Sequence, residues 1–265
     1  MISKLKKKYC ISSEDMIKSV LNITNKTKKN FQVGDYVILL FSKLLLEYLI
    51  KQTNMQPGDW LAPYHPYASN SIYNGNFDGI SISAIMPPMG ASPIASVTED
   101  LITCGAKTLL LVCGAWGITK KSNILDFLIP THAVGPDGTS IYYGRMKSEE
   151  TVVNEKITKI LEQETRKRTE KYHKGKNFSI EAFYKISISQ VEELQRKGFV
   201  SMENGELNTI TTVCKEREIA CGAIFYNYFS PLEEWSIPWL EDDYKKCVEL
   251  EGEITLATIR NLANT

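Results

Sequence analysis

The chain has 265 residues, of which 43% are hydrophobic and 23% charged, an ordinary globular balance with enough apolar mass for a large core. Lys plus Arg and Asp plus Glu number 31 each, so no global field favours nucleic acid or an anionic membrane, and neither is expected as a partner. The basic start at Lys4, Lys6, Lys7 and Lys8 runs into polar sequence without the apolar run of a secretory signal, and the greasy stretch at 36–46 is broken by Ser42 and Lys43 and is too short to span a bilayer.

In chain order, Ser12 caps a first helix over residues 16–21, and residues 1–30 read as a helical extension ahead of one α/β domain at 31–265. A buried strand at 35–41 and a helix at 44–51 follow, then a polar stretch at 54–76 that reads as loop. Residues 79–85 alternate as a strand, 87–92 turn, and a helix runs to Cys104. Residues 107–113 are continuously apolar, as in a strand covered on both faces, and end in Gly114-Ala-Trp-Gly117. A strand at 127–134, a turn at 135–140, a charged helix at 149–171 and a short helix at 191–196 come next. A helix is expected over 203–215, a late buried strand over 219–226 and a closing helix over 242–262. Strands alternating with helices predict one α/β domain with a mixed central sheet flanked by helices. The six cysteines lie far apart without a Cys-x-x-Cys, and the three histidines are scattered, so reduced thiols in a cytoplasmic protein without metal or cofactor are expected.

Ligands in such folds sit beyond the carboxyl ends of strands. Three segments qualify. The backbone of Gly90, Ala91 and Ser92 opens a helix and could face an anion, or is simply a tight strand-to-helix turn. Around Gly114 and Ala115 a ligand could approach the backbone closely, with Trp116 either stacked on a flat ring or serving as a core residue at the sheet edge. Met202-Glu203 is placed at a helix start, where the carboxylate could accept two hydrogen bonds from a vicinal diol or be a plain helix-start glutamate.

The ordered set resembles the nucleoside phosphorylase family, which holds purine nucleoside and uridine phosphorylases and related nucleosidases. Gly90-Ala-Ser92, Thr98-Glu-Asp-Leu-Ile102, Gly114-Ala-Trp-Gly-Ile118, Leu125-Asp-Phe-Leu-Ile-Pro-Thr-His-Ala-Val134, Asp137-Gly-Thr-Ser140 and Ser201-Met-Glu203 carry the likeness in the family's order. The resemblance implies a homo-oligomer that cleaves the bond between ribose C1′ and a base nitrogen. It implies that Glu203 holds the 2′ and 3′ hydroxyls, Met202 packs under the sugar, Phe183 stacks on the base and His65 reaches the 5′ end. The departures from the family pattern are equally specific. Leu111 replaces an arginine, Gly114 or Ala115 a hydroxyl-bearing threonine and Trp116 a glycine, so inorganic phosphate loses its expected partners. The base-protonating aspartate is matched only by Asn227 and Ser230, which can donate hydrogen bonds but are not acids at neutral pH. The expected activity is therefore N-glycosidic cleavage of a nucleoside or nucleotide, with phosphate as the family's acceptor and water as the other choice. Its alternatives are a non-catalytic nucleoside-binding protein and a specialised enzyme acting on a modified nucleoside.

Overall fold

The computed structural model describes residues 9–61, 64, 71–147, 149–235, 237–240 and 242–265. Its strands are β1 (Tyr36–Leu40), β2 (Gln56–Gly58), β3 (Ile72–Phe77), β4 (Ile80–Ile85), β5 (Thr108–Gly117), β6 (Phe127–Val134), β7 (Thr151–Val152), β8 (Tyr172–Ser179), β9 (Phe199–Glu203) and β10 (Ala220–Phe229). Its helices are α1 (Ser13–Ile23), α2 (Lys43–Thr53), α3 (Ala91–Thr103), α4 (Gly138–Tyr142), α5 (Glu155–Arg166), α6 (Ile188–Arg196), α7 (Glu206–Glu216) and α8 (Tyr244–Ala263).

β5 organises the sheet. Its first half lies between β1 and β10, parallel to both, and its end pairs antiparallel with β9 through Trp116 and Met202. β10 also pairs β6, β6 pairs β8, and β8 pairs β9, so β5, β10, β6, β8 and β9 close into a ring. On the other side of β5 the sheet continues through β1, β4, β3 and β2. Because both faces of β5 are covered, its residues alternate between two cores rather than between core and water. Leu109, Leu111 and Cys113 join the layer that includes residues of α1, α3 and α7, whereas Leu110 and Val112 join that of α2, α5 and α8. α1 opens on a capping box made by Ser12 and Asp15 and buries Ile17 and Val20 in the first of these layers.

The mixed sheet between helices agrees with the sequence expectation, with local corrections. The stretch at 54–76 contains β2 and β3, and β3 forms a hairpin with β4 through a two-residue Asp78-Gly79 turn. The helix expected over 149–171 is shorter. Asn154 caps α5 by accepting from the Ile157 N–H at 3.1 Å, and the flanking residues enter β7 and β8. Glu203 does not begin a helix. It ends β9, and α7 starts three residues later at Glu206. Among the described residues no helix is long and apolar enough to cross a membrane.

Candidate active site

Where β1, β5, β9 and β10 end, they surround a cavity of about 300 Å³. Its wall includes Phe41 after β1, Cys113, Gly114 and Ala115 of β5, Met202 and Glu203 of β9, and Tyr226 and Tyr228 of β10. Met89, Phe183, Asn204, Glu206, Trp235 and Trp239 complete the rim. Two larger clefts border α1, and Arg217 pairs with Glu99 on the wall of one and with Glu14 on the wall of the other.

Glu203 is 4% exposed and is held by a polar ladder inside the strand ring. Its Oε1 accepts from Asn177 Nδ2 at 3.0 Å and from the Ser179 hydroxyl, and its Oε2 accepts from the Glu206 N–H at 2.7 Å. Asn177 is itself fixed, its Oδ1 accepting from Ser201 Oγ at 2.8 Å. Burial pushes the Glu203 carboxyl well above the usual range and the neighbouring Glu206 pushes it further, while Ser179 and Asn177 pull it back. Added donors, such as the two hydroxyls of a ribose, would favour its charged form.

Glu206, also 4% exposed, reaches across to the start of α3, where its Oε1 accepts from the Gly90 N–H at 2.8 Å. Gly205 makes this reach possible. It caps α7 with φ 97°, and a Cβ there would lie 3.3 Å from Ala91. Across the cavity, Gly114 leaves room for two phenols, since a Cβ would meet the Tyr226 hydroxyl at 2.9 Å and the Tyr228 ring at 2.9 Å. Tyr228 accepts from Trp116 Nε1 at 2.5 Å, and burial pushes its phenol up to about 12, so it is a neutral donor at ordinary pH. Burial, with added charge from Glu251, Glu206 and Glu203, lifts the Cys113 thiol well above its usual range. Cys113 is therefore no thiolate nucleophile.

The residues expected at the site are divided by the fold. Glu203, Met202, Phe183, Gly114 and Ala115 meet on the cavity, and Gly90 touches it through Glu206. Trp116 stands one layer back, stacked on Phe183 with ring centroids 4.6 Å apart. Asn227 and Ser230 are not brought to the cavity. Asn227 is fully buried at the irregularity where the β10–β5 register shifts, its Oδ1 accepting from the Gly117 and Phe229 N–H groups at 2.9 and 3.1 Å. Its Nδ2 donates to the Asn123 carbonyl at 3.0 Å and to Ser230 Oγ at 3.4 Å, so both residues are spent on holding the strand fork. His65 lies outside the described residues. Glu206, one turn beyond Glu203 in the sequence, also lines the wall without having been given a role, and sequence reasoning missed Tyr226, Tyr228, Trp235 and Trp239. The aromatic density at 225–239 was the signal for the last four.

The wall has two carboxyls and many aromatic rings, and among the described residues lining it none is Lys, Arg or His. Among the described residues there is also no group of three or more His, Cys, Asp or Glu placed to hold a metal ion.

The backbone is similar to that of a uridine phosphorylase from Vibrio fischeri, with 19% identity, a TM-score of 0.73, and coverage of 88% of this chain and 93% of that one. It is likewise similar to a purine nucleoside phosphorylase from Toxoplasma gondii, with 19% identity, a TM-score of 0.76, and coverage of 90% and 94%. The family model described as the phosphorylase superfamily matches residues 35–227, which run from the residue before β1 to the strand fork and take in the cavity wall except Tyr228 and the two tryptophans. With most of its length and most of its cavity inside that match, the chain belongs to the phosphorylase superfamily.

Proposed function

We propose that this protein cleaves the N-glycosidic bond of a nucleoside and that water is the acceptor. The observation that carries the reading is a buried, pre-positioned carboxylate, Glu203, on a cavity whose described wall offers no cationic side chain. A carboxylate facing a vicinal diol accepts two charge-assisted hydrogen bonds, and these strengthen as positive charge builds on the sugar during bond cleavage. Met202, fully buried beside it, supplies an apolar floor for the furanose, and Phe183 supplies a ring face for the base, steadied from behind by Trp116.

The same wall argues against anionic reactants. Inorganic phosphate and a nucleotide's 5′-phosphate both need cationic donors to offset desolvation. Leu111 and Leu45 are fully buried in apolar clusters, and Lys43 is an exposed first residue of α2. A neutral nucleoside and water suit this wall better. The leaving base finds its hydrogen-bond donor in the Tyr228 hydroxyl rather than in Asn227.

The test is release of free base from a panel of purine and pyrimidine nucleosides, with and without phosphate, read by chromatography. Equal rates in both arms are expected. A strict phosphate requirement would overturn water as acceptor. A second reading, a nucleoside-binding protein without turnover, is favoured by one observation: both Glu203 oxygens already have protein donors. Thermal stabilisation by nucleosides with no base released across the panel would select it.

A further inference from the structure

Glu206 is unexplained by a diol-gripping role. It lies one helical step beyond the strand that carries Glu203, yet its side chain turns away from solvent and crosses to another helix. There it binds the Gly90 N–H, the N-cap amide of the 13-residue α3, at 2.8 Å. That amide, with the start of the helix behind it, is the position the sequence marks as able to hold an external anion. In this chain the protein's own carboxylate is bound there. The arrangement is built rather than incidental, because it requires Gly205 at the α7 cap, where a Cβ would press on Ala91 at 3.3 Å. Glu206 also belongs to the cavity wall and is adjacent to Glu203: its N–H donates to Glu203 Oε2, and its carboxyl perturbs that of Glu203 by charge and by side-chain hydrogen bonding.

We infer that Glu206 is the site's resident anion and a catalytic residue, the general base for an attacking water. The inference rests on the hydrolytic reading above and extends it to the acceptor side. In the step, the C1′–N bond breaks and its electron pair leaves on the base nitrogen. A water lone pair forms the C1′–O bond, and the proton that water loses goes to the Glu206 carboxylate. The departing base takes one proton from solvent and Glu206 returns its own to solvent, so the net change is addition of one water across the glycosidic bond. The Gly90 N–H holds the carboxylate in place, leaving it free to act without reorganising. The same anion, next to a second carboxyl and with no described Lys, Arg or His on the wall, repels inorganic phosphate.

Two variants separate the roles. Glu206→Gln keeps an oxygen for the Gly90 N–H and should fold with an unchanged thermal midpoint, while hydrolysis falls roughly 10²–10⁴-fold, the contribution of a general base. Glu206→Ala frees the Gly90 N–H and opens the wall. Added sodium formate should restore part of its rate while leaving the wild type unaffected. Full activity in Glu206→Gln, or a Glu206→Ala variant that is folded by circular dichroism yet not rescued by formate, would overturn the inference. Acceleration of the wild type by phosphate would also overturn it while leaving glycosidic cleavage intact. A wild type that releases no base from any nucleoside would instead overturn the reading of the reaction, and the base role would fall with it.

Discussion

Glu203 and Glu251 are both buried glutamates, and burial raises both carboxyls well above the usual range. Their surroundings differ completely. Glu203 ends a strand, faces a cavity and is met by Asn177, Ser179 and the Glu206 N–H. Glu251, fully buried in the middle of α8, has no hydrogen-bond partner among the described residues on either oxygen. A buried polar group that is surrounded by donors and opens on a cavity has its desolvation partly offset. One that has neither is a cost to the fold.

Removing each carboxylate breaks or sharpens that contrast. Of the pair, the larger effect on turnover is expected from Glu203→Ala, which should lower kcat for base release roughly 10²–10³-fold, as loss of one pre-positioned electrostatic partner does. It should also cost about 1–3 kcal/mol of stability, because Asn177 and Ser179 lose their acceptor; denaturant titration measures this. Glu251→Met should do the reverse, leaving turnover near wild type and adding about 1–3 kcal/mol of stability at neutral pH. The pH dependence gives a second readout. The folded-state values of both acids are raised, so the folded chain holds protons that the unfolded chain has released. Stability is then full below the ordinary glutamate range and falls as pH rises through each raised value. Glu251→Met should flatten part of that fall, leaving the share due to Glu203, and an unchanged profile would mean that Glu251 finds a partner in solution. Phe183→Ala is the smallest change. Loss of one stacking face worth about 0.5–1.5 kcal/mol should raise KM up to roughly tenfold while kcat stays near wild type.

The parts of the fold that could be read in the sequence were those whose burial shows as apolar runs. β5 and β10 read as strands because helices cover both faces. β8 and β9 did not, and they carry the site. β8 reads Tyr172 to Ser179 with few apolar residues because Asn177 and Ser179 face Glu203 rather than a hydrophobic layer. β9 buries all of Phe199–Glu203 without alternation, inside the strand ring, so neither a period of two nor a helical period marks it. Glu203 could be singled out as a candidate, and it does line the cavity, but its place at a strand end could not be read. The Glu206–Gly90 contact joins residues 116 positions apart, and no local pattern announces it. Asn227 illustrates the opposite limit, since a residue matched to a chemical role by its place in a motif is occupied by backbone groups and serine hydroxyls at the fork.

The two ends of the sheet differ as well, with a consequence for how copies of this chain behave at high concentration. At one end, among the described residues, five strands close on themselves and only the two residues of β7 lie at the rim. At the other, the outermost strand β2 is only three residues long, and its middle residue, Pro57, has no amide hydrogen to offer. A rim so short and so poor in donors is a bad template for a neighbouring chain, and this guards against edge-to-edge aggregation.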